Sequence, residues 1–108
     1  MEKRTKTKLN GRMNICGENI KKYRKELGEG FSQERLAEKL QLLGLSAHKN
    51  MIQMIEAGKQ SVTDIELVFF AKALNVSVAD LMEQTEPIIP YPETEEGYGS
   101  QKAAQSRM

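Results

Sequence analysis

Residues 31–61 read FSQERLAEKLQLLGLSAHKNMIQMIEAGKQS, and the organisation of the rest of the chain follows from them. Two short helices are legible. The first has a clean start: Ser32 can accept hydrogen bonds from the free N–H groups of a first turn. Phe31 and Leu36 stand where a hydrophobic staple closes over the entering chain. Leu36, Ala37, Leu40 and Leu43 then recur at i, i+1, i+4 and i+7, one face of an α-helix. Gly44 can take the left-handed conformation that ends it. The second helix carries Met51, Ile52, Ile55 and Glu56 and stops at Gly58. The small Ala37 on the first helix and a polar outer face on the second predict two helices that cross closely.

Two helices in this order are how a helix-turn-helix presents its second helix to a major groove. The run SQERLAEKL, then MIQMIEAGKQS, then TDIELVFFAKALNVSVADLM resembles the phage-repressor/Cro-like (XRE) helix-turn-helix family over residues 15–82. One departure stands out: residues 41–47 make a longer link between the two helices than the family's usual short turn. An extra turn on the first helix, with Leu43 in phase, and a longer loop accommodate it. The resemblance implies an all-α, five-helix repressor-like domain whose third helix enters the major groove. That helix begins at Ala47 or Lys49. Ser46 is the better cap by chemistry, whereas the family register places the cap at His48.

With Ile52 and Ile55 inward, Lys49, Asn50, Gln53 and Met54 face outward. These side chains suit base edges: Asn or Gln can pair with adenine N6/N7, Lys can reach guanine O6/N7, and Met can touch a thymine methyl. Any exposed helix can show such residues, and their place after SQ..LA is what favours the base-reading role. Gln33 matches a family residue that holds the DNA backbone, at a helix N-terminus that favours anions. Lys59, Gln60 and Ser61 follow in a donor-rich loop suited to phosphate. The resemblance also supplies a partner for Arg24, a guanidinium on an otherwise apolar face that would be costly to bury alone. The family often pairs this arginine with the recognition-helix glutamate, here Glu56, in a structural bridge. An exposed, unpaired Arg24 is the alternative.

Outward from this centre, Cys16, Ile20, Tyr23, Arg24 and Leu27 share one face of a first helix over residues 16–27. Cys16 reads as a small buried hydrophobe rather than a nucleophile. Residues 1–14 form a basic, flexible arm, net +4 over residues 1–12, with Asn10-Gly11 as a turn. The arm can follow a groove or phosphate strand, or serve only as a solubilising tail. Past the central pair, Thr63 and Glu66 form a capping box and Val62 and Leu67 a staple. Ile65, Val68, Phe69, Ala71 and Leu74 are expected as the core face of the fourth helix, with Phe69 the core aromatic. Ser77 and Asp80 open a short fifth helix. The domain spans residues 15–84, and residues 85–108, proline-bearing and acidic with five Glu over 83–108, are expected to be a disordered tail.

The remaining composition narrows function. The 108 residues carry net charge +1, so global charge alone does not argue for nucleic acid. One cysteine and one histidine form neither a disulfide nor a metal site at matched spacing. No phosphate-cradling loop, Ser/His/Asp set or paired catalytic carboxylates is present. The reading is therefore a non-enzymatic, cytoplasmic regulator without cofactor or small-molecule ligand and away from membranes. The resemblance implies that it acts as a repressor and as a homodimer on double-stranded DNA. The alternative is an antitoxin-like or adaptor module whose main partner is a protein.

Overall fold

The computed structural model describes residues 8–84, which form five α-helices, with one isolated antiparallel bridge between Leu9 and Arg12. The helices are α1 (Cys16–Glu26), α2 (Gln33–Leu43), α3 (Lys49–Glu56), α4 (Asp64–Leu74) and α5 (Val78–Leu81). Helix α3 packs on both α1 and α2. Helix α4 covers α1 and α2 from another side, and α5 closes against α1 and α4. Residues 1–7 and the acidic tail at 85–108 lie outside the described residues.

Local chemistry sets the helix boundaries. Ser32 Oγ accepts from Arg35 N–H at 3.1 Å, and Gly44, at φ +107°, ends α2. There Gly44 N–H bonds Gln41 O and Leu45 N–H bonds Leu40 O, the paired bonds of a Schellman motif. Helix α4 begins with the Thr63–Glu66 capping box and ends at Asn75, which is left-handed at φ +60°. The Ser77–Asp80 box opens α5. Between these ends Ile20, Leu36, Leu40, Ile52, Ile55, Phe70 and Leu81 are fully buried, one core drawn from all five helices.

Three expectations need correction. The core aromatic of α4 is Phe70, wholly buried, while Phe69 is only partly buried and Ile65 and Val68 are exposed. The inward stripe is Leu67, Phe70, Ala71 and Leu74. Helix α4 is apolar almost all round, so its periodicity favoured neither stripe. Leu43, on the last turn of α2, is 41% exposed although it keeps helical phase, because the helix there outruns the core. Leu27 caps α1 and is exposed rather than part of its inner face.

Residues ahead of α1 also pack on the helices. Residues 8–14, assigned to the arm from sequence, turn at Asn10-Gly11 and pack on the domain. Leu9 and Arg12 exchange backbone hydrogen bonds, and Met13 N–H donates to Gly58 O at 2.9 Å.

Candidate nucleic-acid interface

Helix α3 has two faces of different character. Met51, Ile52, Ile55 and Glu56 are buried, and Lys49, Asn50, Gln53 and Met54 are exposed. The helix starts at His48, whose Nδ1 accepts from Met51 N–H at 3.4 Å, so the imidazole serves as an acceptor at that nitrogen. Ser46 is not the cap. Ala47 is buried and its carbonyl accepts from the Gln41 side chain, which holds the intervening loop against α2. This start puts Lys49 and Asn50 in the first turn, with Gln53 and Met54 one turn on.

Beneath that outer face lies a buried ionic cluster. Arg24 Nε donates to Glu56 Oε2 at 2.7 Å and Arg24 Nη2 to Glu56 Oε1 at 3.1 Å, a two-point pairing of guanidinium and carboxylate. Arg24 also donates through Nη1 to Phe31 O at 2.9 Å, and Gln33 Nε2 donates to Glu56 Oε1 at 2.9 Å. Glu56 therefore accepts from α1 and α2 at once, fixing α3 between them. Arg24 and Glu56 are 8% and 6% exposed, so neither has water to replace a lost partner.

Gln33 sits at the N-terminus of α2 as the sequence placed it, but its amide is engaged inward with Glu56. An amide nitrogen carries two protons, and one remains for an outside acceptor. Lys59 and Ser61 are exposed after α3, and Gln60 is partly buried with its carbonyl accepting from Asn14 Nδ2 at 2.8 Å. The loop thus offers donors outward while being tied down from inside.

Several contributors were not read from the sequence. Arg12 Nη2 donates to Glu56 O at 2.9 Å and reaches Ile55 O at 3.4 Å, at the C-terminal end of α3. Asn14 Nδ2 donates to Ile55 O at 2.9 Å, while Asn14 Oδ1 accepts from Gly17 N–H at 2.8 Å. Asn19, buried in α1, donates to Leu81 O and Glu83 O, both at 2.8 Å, and ties α1 to the end of α5. Gly17 is buried where α1 meets α3, and a Cβ there would run into Ile55 O. A glycine inside a predicted helix was the one available signal for that close approach.

The family model described as helix-turn-helix matches residues 20–81, more than half of the chain. The chain belongs to this family, in its XRE, Cro/C1-type branch. No curated protein and no solved structure matches it in the corresponding searches. The match runs from α1 through α5 and includes the whole α2–α3 pair. It supports a DNA-binding helix-turn-helix regulator. Among the described residues no helix is long and apolar enough to cross a membrane.

Proposed function

We propose that this helix-turn-helix protein is a sequence-specific transcriptional regulator, a repressor, that lays α3 in the major groove of an operator and acts by occupancy. The observation that carries this reading is the division of α3. Its inner face is locked by Ile52, Ile55 and the Arg24–Glu56 pair, while Lys49, Asn50, Gln53 and Met54 stand exposed on the other. A rigidly held helix can hold base-reading side chains to the tolerance that bidentate hydrogen bonds require. Gln33, Lys59, Gln60 and Ser61 flank that face and supply phosphate contacts, which set register without reading sequence. As a homodimer, the protein binds two half-sites about 34 Å apart along the duplex.

Selection of bound duplexes from a random library tests this directly. The reading expects enrichment of a two-fold related pair of half-sites spaced by about one helical turn. No enrichment contradicts it. The second reading, a module whose main partner is protein, is favoured by Leu42 at 87% and Ile65 at 68% exposure, large apolar side chains left in solvent. A heterocomplex that persists without DNA, together with failed duplex selection, would favour it.

A further inference from the structure

The strap at residues 8–14 meets the C-terminal end of α3 in a way that the packing of a chain terminus does not require. Four donated hydrogen bonds converge there from three successive residues. Arg12 Nη2 donates to Glu56 O and Ile55 O, Met13 N–H to Gly58 O, and Asn14 Nδ2 to Ile55 O. Asn14 Nδ2 also holds Gln60 O in the loop that follows. The last carbonyls of a helix have no intrahelical donor and carry the negative end of its dipole, so a guanidinium and an amide are well-matched caps.

The strap is anchored in turn to α1. Asn14 Oδ1 accepts from Gly17 N–H, and Arg12 Nη1 lies 3.6 Å from Glu18 Oε2. Space around it is tight: a Cβ on Gly58 would lie 2.7 Å from Arg12 Cζ, so only glycine lets the guanidinium lie over the helix end. The Arg12 side chain is only 21% exposed, held over the helix end by its Nη2 bonds to Glu56 O and Ile55 O, although its buried Nε finds no hydrogen-bond partner among the described residues.

From this geometry we infer that Arg12 and Asn14 are positioning residues for DNA recognition. They clamp the C-terminal end of α3 to α1 and thereby set the angle at which Asn50 and Gln53 meet the bases. Arg12 belongs to a basic N-terminal segment, and its role there differs from that of a phosphate-neutralising charge. The consequence for DNA rests on the groove-reading function proposed above, while the clamp itself is testable without DNA.

The test compares the full-length protein with Arg12→Lys, Arg12→Ala and Asn14→Ser. Lysine keeps the charge and loses the fork. Serine remains a good acceptor for the Gly17 N–H but is too short to reach α3. Amide hydrogen exchange of the free protein should speed up about five- to tenfold at Ala57, Gly58 and Lys59 in all three variants, the effect of losing a hydrogen bond or two. Amides of α4 should be unchanged. On a duplex selected by the wild type, preference over random duplex should fall about tenfold, within the worth of one misplaced base contact. The salt dependence should hold its slope.

Unchanged exchange at residues 57–59 in Arg12→Lys and Asn14→Ser would overturn the clamp. So would a different pattern on DNA. If Arg12→Ala weakens selected and random duplex equally and lowers the salt slope by about 0.9 per protomer, while Arg12→Lys and Asn14→Ser are silent, Arg12 is a phosphate contact. If the wild type selects no duplex, the groove-reading proposal fails on its own and the exchange rates still decide the clamp.

Discussion

Replacing Glu56 with alanine should cost far more stability than its place on the proposed DNA-reading helix suggests. Glu56 accepts three hydrogen bonds, two from Arg24 and one from Gln33, and its side chain is 3% exposed. Removing it leaves a guanidinium inside the protein with only Phe31 O as acceptor. Breaking one partner of a buried ion pair costs about 3–5 kcal/mol. The Phe31 bond survives and still satisfies part of the guanidinium, so the lower end, ~3 kcal/mol, is expected. A domain of this size holds about 4–12 kcal/mol in total. The melting midpoint should therefore fall by about 12–24 °C, at ~4–8 °C per kcal/mol. Thermal and denaturant unfolding of Arg24→Met, Glu56→Leu and the double variant completes the cycle. The double variant should recover much of the loss, because an apolar pair leaves no charge to compensate. A coupling near zero, or a loss under ~1 kcal/mol as for exposed pairs, would refute the reasoning.

Gly17→Ala should destabilise, although alanine is favoured over glycine in a helix by about 1 kcal/mol. Its Cβ would meet Ile55 O and the Arg12 and Asn14 side chains, and a raised melting midpoint would refute that packing. Burial pushes the Cys16 thiol from 9.0 up to about 11. The folded state then holds that proton more tightly than the unfolded one. The associated stability is present below pH 9 and is lost as pH rises towards 11, by about 2–3 kcal/mol. Unfolding followed across that window should show the loss in the wild type and its absence in Cys16→Ala. For a dimer neutralising ~4–8 phosphates, log affinity should fall with log salt at a slope of about −4 to −7. Deleting residues 1–7, which carry Lys3, Arg4 and Lys6, should lessen the slope if these cations touch phosphate and leave it unchanged if they do not, as duplex titrations at several salt concentrations would reveal.

Much of the fold was legible because its boundaries are written in local chemistry. Ser32, Gly44, Thr63, Asn75 and Ser77 each mark an end by a side chain or a backbone freedom that acts over a few residues. The resemblance carried the rest of the α2–α3 geometry, and His48 rather than Ser46 caps α3 because tertiary packing buries Ala47. Helix α4 was misread where two apolar stripes competed. The stripe of Ile65, Val68 and Phe69 continues to the exposed Lys72, whereas Leu67, Phe70 and Ala71 continue to the buried Leu74. The strap could not be read locally at all. Arg12 and Asn14 act across more than forty residues of sequence on backbone carbonyls, which carry no residue-type signal.

If the outer face of α3 reads bases, as proposed, Asn50→Ala is the variant that must show it. Asn50 is exposed in the first turn of α3, so its removal leaves the buried face untouched. Affinities of wild type and variant are compared at one salt concentration, on a duplex from library selection and on random duplex. The expected loss is ~1–3 kcal/mol on the selected duplex, the worth of one bidentate base contact, and almost none on random DNA. An Asn50→Ala protein that keeps full preference for the selected duplex would contradict it.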